Sequence, residues 1–241
     1  MRALLVAEFK KVVSVRVNVI LAVVAVLLVC APTLAVFLGD LSVSQHVVMR
    51  FIDDGAIVLL ALGVMAMTSE FRHDLVSGLF LIEPRRYRVL VAKLVAYAVV
   101  GAGLALVMSL AHLVSVQVGV AVSGDQLTLS GGTLWAAYGG FVLGGALWCS
   151  LGVAVGSVVV NQAAALGVTL IWAAVVERVV AALWEPGRYL PGSVLSALAG
   201  SSVATDPVSA MPAALVLLTY VLAFGAWAWQ SLHVRDVTAS R

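Results

Sequence analysis

The side chains able to do chemistry are crowded into one stretch. Glu70, Arg72, His73, Asp74, Glu83, Arg85, Arg86, Arg88 and Lys93 follow each other between long apolar runs. Carboxylates mixed with arginines suit ion pairing and docking on a charged partner. Holding a loop on one side of a membrane requires only the cations, so Glu70, Asp74 and Glu83 call for a further account. Bond-cleaving sets are missing. No G-x-S-G or H-E-x-x-H occurs, and His46, His73, His112 and His233 stand on different elements, which argues against an intramembrane protease and leaves no metal-ligand set. There is no G-x-x-x-x-G-K-[ST] and not one Gly-Lys pair, so the chain cannot build a P-loop around ATP phosphates. The chain reads as no enzyme.

The rest of the sequence says where this stretch sits. Apolar residues make up 63% of the 241, charged residues 11%, and mean hydropathy is +1.11. A water-soluble domain averages about 25% charged residues, and here the polar side chains to cover a soluble core are absent. A bilayer removes that requirement, because lipid solvates an apolar exterior. A net charge of +2 gives no reason to expect nucleic acid as a partner. Cys30 and Cys149 both lie in apolar runs and read as small buried hydrophobes, not as a disulfide.

A crossing takes about 20 helical residues. Runs with few or no charges place spans at 17–38, 51–69 (with Asp53 and Asp54 at its start), 90–119 (beginning near Arg88–Lys93), 134–158, 161–183 and 212–232. The fourth and fifth come from one uncharged stretch of 51 residues, divided at Asn161-Gln162, its one strongly polar pair. The expected fold is all-α: a single membrane domain over 1–241 with six transmembrane helices. The first apolar run is longer than a signal peptide's and starts sixteen residues in, so cleavage is not expected. Bulky Val29 beside Cys30 argues equally against a lipoprotein.

Eleven of the fourteen lysines and arginines fall before span one, between spans two and three, or after span six; Arg50, Arg178 and Arg188 are the rest. The positive-inside rule then puts both termini and the charged loop in the cytoplasm, with the protein in the cytoplasmic membrane. Residues 1–14 form a separate element, in which Leu4, Leu5, Phe9, Val12 and Val13 recur at helical spacing among Arg2, Glu8, Lys10 and Lys11. The pattern predicts an amphipathic helix lying in the interface; a solvated leader that only sets topology is the alternative. A second helix is expected over 70–83, with Pro84 opening the next and Arg85, Arg86, Arg88 and Lys93 anchoring it at headgroup level. Such a short charged element is either a rigid lever on two spans or a run of charges that merely sets orientation.

These features, taken in order, resemble a known family. The stretch Thr68-Ser69-Glu70-Phe71-Arg72-His73, then Glu83-Pro84-Arg85-Arg86-Tyr87-Arg88-Val89-Leu90-Val91-Ala92-Lys93, is similar to the T-x-E-[FY]-R and P-R-R-aromatic pattern of permeases of ABC-2 type ATP-binding-cassette exporters. Tyr189-Leu190-Pro191-Gly192 resembles the W-L-P-G segment common there, with Tyr189 in the place of the usual tryptophan. The resemblance implies that the 70–83 element is a coupling helix docked on a separate ATPase subunit, through Glu70, Phe71, Arg72, His73, Asp74 and Glu83. It also implies a second permease copy, identical or homologous, with ATP and Mg²⁺ held by the ATPase and not by this chain. It further suggests short, partly re-entrant helices over 177–206 on the outer face, where Pro186, Gly187, Pro191 and Gly192 break the chain.

Inside the spans, His112 is expected either to line a substrate path or, more simply, to bond to a neighbouring helix. Glu177 is expected to cap an outer gate or to rest at the interface, and being adjacent to Arg178 it is not that residue's partner. Gly140, Gly144, Gly152 and Gly156 share one helix face, a seam for a second copy or for packing inside the bundle, the latter being the commoner use. A proton-coupled transporter would place acids near the bilayer midplane, and none is expected there. The function implied is outward movement of a hydrophobic or amphipathic substrate (drug, peptide or lipid-like) by alternating access. A non-transporting membrane anchor or assembly factor is the alternative.

Overall fold

The computed structural model describes residues 2–39, 45–72, 86–124, 131–202 and 206–234, and every regular element among them is a helix. In chain order these are α1 (Arg2–Ser14), α2 (Arg16–Leu38), α3 (Gln45–Arg72), α4 (Arg86–Ser123), α5 (Gly131–Val158), α6 (Gln162–Ile171), a π-turn at Trp172–Val176, α7 (Glu177–Leu183), a 3₁₀ turn at Glu185–Tyr189, α8 (Pro191–Leu198) and α9 (Ala210–Val234). Among the described residues, five helical stretches are long and apolar enough to cross a membrane: Arg16–Leu38, Tyr87–Ser123, Leu134–Val158, Gln162–Leu183 and Ala210–Leu232. A multi-pass membrane protein accounts for them. The 51–69 run expected as the second span lies inside α3, a helix of 28 residues buried along most of its length.

α3 and α5 form the centre, with α2 and α4 packed on one side, α9 against α5, and α6 against α3. Contacts fix the directions. Gly152 approaches Leu60 and Gly156 approaches Val64, advancing together, so α3 and α5 run parallel. Ser150 bonds to the Leu94 carbonyl at 3.1 Å while Gly145 meets Gly101 and Ala105, so α4 runs against α5. Gly55 meets Val29 while Phe37 packs on Val48, so α2 runs against α3. Arg72 reaches Gln162 and Arg178 reaches Asp54, which makes α6–α7 antiparallel to α3. Met67 and Leu90 pack on Ala228 and Leu232, so α9 ends where α3 ends. The direction therefore alternates from α2 through α9, as short connections require.

The four glycines of the small-residue face all serve packing within this chain. A Cβ at Gly140 would overlap the carbonyl oxygen of Leu198, and one at Gly144 would press on the Leu195 side chain, both in α8. At Gly152 and Gly156 it would overlap the Leu60 and Val64 carbonyls of α3. Only a missing side chain lets two backbones approach so closely.

The amphipathic stripe of α1 also meets protein. Leu5, Phe9 and Val12 pack against Leu62, Ala66, Ala96, Tyr97, Cys149 and Val153 of α3, α4 and α5.

Candidate functional site

The helix directions gather one end of the bundle from the start of α2, the end of α3, the start of α4, the end of α5, the start of α6 and the end of α9. Lys10, Lys11, Arg16, Arg72, Arg88 and Lys93 belong to this end; Arg50, Arg178 and Arg188 belong to the other. The sequence-derived bias in cations is thus a property of the folded bundle.

At the centre of the cationic end lies a group of four charges, three of them buried and the fourth, Lys11, half-exposed. Lys93, in the second turn of α4, is 1% exposed. Its ammonium donates to Glu70 Oε1 at 2.7 Å, to Glu8 Oε2 at 2.9 Å and to the Ala66 carbonyl at 3.3 Å. Lys11 Nζ closes the group, 2.7 Å from Glu70 Oε1 and 3.1 Å from Glu8 Oε1. Two carboxylates face two ammoniums, so the cluster is neutral overall. Removing such groups from water costs several kcal/mol per ion, and only close mutual pairing offsets it. Burial of the Lys11 ammonium is the largest single effect on it and works to lower its pKa. Glu70 and Glu8 together outweigh that and hold it above the ordinary 10.5. Glu70 Oε2 is buried with no partner among the described residues.

This geometry alters several expectations. Glu70 belongs to the last turn of α3, where the sequence suggested the start of a separate coupling helix, and its carboxylate turns inward at 4% exposure. Lys93, expected as a headgroup anchor, lies inside the protein because two acids wait for it there. Phe71 packs with Met67, Leu90, Ala228 and Leu232. Arg72 is exposed, and its guanidinium Nη1 donates to Gln162 Oε1 at 3.3 Å. The Arg88 guanidinium lies 6.0 Å from the Tyr87 ring centroid. Arg86 opens α4; His73, Asp74, Glu83 and Arg85, with most of the expected 70–83 helix, lie outside the described residues.

Two partners of this cluster, Glu8 and Lys11, were not among the residues read as functional. The signal was present: Leu5, Glu8, Phe9 and Val12 share one helical face. An acid in an apolar stripe implies a buried cation opposite it.

The opposite end is organised around α8. Its N-cap residue, Leu190, offers no side-chain acceptor, and Pro191 at the first position has no N–H. The next two N–H groups, of Gly192 and Ser193, donate to Glu177 Oε1 at 2.5 and 2.9 Å. Glu177 is 2% exposed and so acts as a capping anion from another helix. It follows the π-turn Trp172–Val176 directly. A π-turn contains one residue more than an α-turn, which rotates everything after it about the helix axis. Neighbouring Arg178 pairs with Asp54 at 3.2 Å, so the two adjacent charges have separate partners. Ser201, just past α8, donates its hydroxyl to Asp53 Oδ2. α8 is therefore fastened near both ends, to α7 at its start and to α3 just past its end. Arg188 pairs with Asp206 at 3.0 Å, its guanidinium 5.0 Å from the Tyr189 ring centroid.

His112 is fully buried between three helices. Nε2 lies 3.1 Å from the Val48 carbonyl, which can only accept, so Nε2 carries the proton. Nδ1 then accepts from the Tyr138 hydroxyl at 2.9 Å. Both ring nitrogens are thus engaged by neighbouring helices.

No known protein family's sequence profile matches the chain, and no curated protein matches it significantly.

Proposed function

We propose that this protein is the membrane-spanning permease subunit of an ABC-2-like exporter, with six spans (α2, α3, α4, α5, α6–α7 and α9) and both termini in the cytoplasm. It lies in the cytoplasmic membrane and works with a separate ATPase subunit, which holds ATP and Mg²⁺, and with a second permease copy. Two such permeases alternate between inward- and outward-facing arrangements and move a hydrophobic or amphipathic substrate outward.

The observation that carries this reading is the junction of Glu8, Lys11, Glu70 and Lys93. It ties α1 to the end of α3 and the start of α4, the two helices that flank residues 73–85. A push on that connection from a docked ATPase would then displace α1, α3 and α4 together, because buried ion pairs resist separation. On this reading Glu70 transmits and does not dock; its place in the T-x-E-F-R pattern is positional. Alternating helix directions and cations gathered at one end support the cytoplasmic placement of this end. The absence of a P-loop from the sequence supports a separate ATPase.

The test is co-expression of the tagged chain with the ATPase encoded nearest to it, followed by extraction in mild detergent and measurement of co-purification and ATP hydrolysis. A stoichiometric complex is expected, with hydrolysis in Glu70→Gln no longer responding to transport conditions. A well-folded chain that binds no ATPase would replace this reading with that of a membrane anchor or assembly factor.

A further inference from the structure

Where α3 ends and α6 begins, a cleft opens between Phe71, Arg72, Val160, Asn161, Gln162 and Leu166. Its two side-chain amide oxygens are both engaged. The Gln162 Oε1 is taken by Arg72 at 3.3 Å, and Asn161 Oδ1 is taken by the Ala164 N–H at 3.0 Å. The two side-chain NH₂ groups and the remaining guanidinium N–H groups are left as donors. Among the described residues no carboxylate comes within ion-pair distance of Arg72. Buried acids occur nearby, but Glu70 and Glu8 are taken by Lys93 and Lys11.

The other walls, Phe71, Val160 and Leu166, are apolar. Gln162–Leu183, which rises from the cleft, is the least buried of the five membrane-length stretches. A ligand here meets one guanidinium and two amides at the end of the bundle, with apolar surface beside them. One guanidinium with neutral donors matches a singly charged phosphodiester better than free phosphate, which averages about one and a half charges near neutral pH. Basic clefts between membrane helices are suited to lipid headgroups, and the planar fork of arginine fits two phosphate oxygens at once.

We propose that this cleft binds an anionic phospholipid, its phosphodiester on Arg72 with Asn161 and Gln162 and its glycerol and upper acyl chain against Phe71, Val160 and Leu166. The proposal rests on the chain lying in a membrane and not on the transport reading, and its test involves no ATPase.

The full chain is purified in dodecyl maltoside, and bound lipid is read by native mass spectrometry and by thermal unfolding. Dioleoyl-phosphatidylglycerol, dioleoyl-phosphatidylcholine and soluble glycerophosphoglycerol are added in separate arms. Phosphatidylglycerol is expected to be retained and to raise the unfolding temperature above the phosphatidylcholine arm, with the soluble headgroup having little effect. Arg72→Gln should weaken phosphatidylglycerol retention about tenfold, the scale of losing a charge-assisted hydrogen bond, and Arg72→Lys by less. Leu166→Glu, which puts an acid in the cleft and leaves Arg72 intact, should give a similar loss and serves if Arg72→Gln folds poorly. Equal retention of the two lipids, unchanged retention in both variants, or equal binding of the soluble headgroup would each overturn the proposal.

Discussion

The ammonium of Lys93 lies 2.7 Å from the carboxylate of Glu70, at 1% and 5% side-chain exposure, in a region where the sequence suggests both face outward. The second acid, Glu8, comes from α1 and stands 2.9 Å from the same ammonium. One cation therefore holds three helices together.

Replacing Lys93 by methionine leaves two acids buried with only the half-exposed Lys11 for company. A loss of about 3–5 kcal/mol in unfolding free energy is expected, the usual cost of removing one partner of a buried pair. Unfolding in mixed micelles measures it. The triple change Lys93→Met, Glu8→Gln and Glu70→Gln should recover most of the loss, because no net charge then remains buried.

The tie to Lys11 should loosen at alkaline pH. Its folded pKa is raised above 10.5 by Glu70 and Glu8 acting against burial. A raised value means the contribution is complete below 10.5 and disappears as pH climbs through the folded value. A spin label at Val13, 77% exposed, should report unchanged mobility of α1 up to that pH and greater mobility beyond it. In Lys11→Met the step should vanish.

Removing the capping anion at the other end should free α8. Glu177→Ala leaves the N–H groups of Gly192 and Ser193 without an acceptor, at a cost of about 1–2 kcal/mol. Hydrogen exchange at these two amides should accelerate about five- to thirtyfold, 1.4 kcal/mol being a factor of ten. Unchanged exchange would mean that packing of Val194, Leu195 and Leu198 alone holds the helix.

Tyr138→Phe removes the donor to His112 Nδ1 and nothing else in the contact. About 1–2 kcal/mol of stability should be lost, with thermal unfolding as the readout.

Gly63→Leu should disrupt the central seam, where a Cβ would overlap the Cys149 carbonyl of α5. Overpacking typically costs about 1–3 kcal/mol, and here the obstacle is backbone, which cannot turn aside. Gly103→Leu, with nothing within 4 Å of a Cβ, is the neutral control in the same assay.

Much of this was legible without coordinates. Uncharged runs of membrane length in a chain with 11% charged residues require lipid-solvated helices, and the period of Leu5, Phe9 and Val12 marked α1. The separate fates of Glu177 and Arg178 followed from helical geometry, because adjacent side chains diverge. The boundary of α3 did not follow. Ser69 and Glu70 read as the end of a span, yet the helix continues to Arg72, since the polar residues there meet buried partners instead of water.

The sequence by itself determined the solvent, the helices and the end of the bundle where cations collect, because each of these depends on composition and on neighbours along the chain. Tertiary structure alone decided which charges are buried and whom they meet. Glu8 and Lys93 are 85 residues apart, and Glu177 reaches Gly192 only across a 3₁₀ turn and a chain reversal. An ion's cost depends on the groups within a few ångströms of it, and long-range packing, not local pattern, sets those groups.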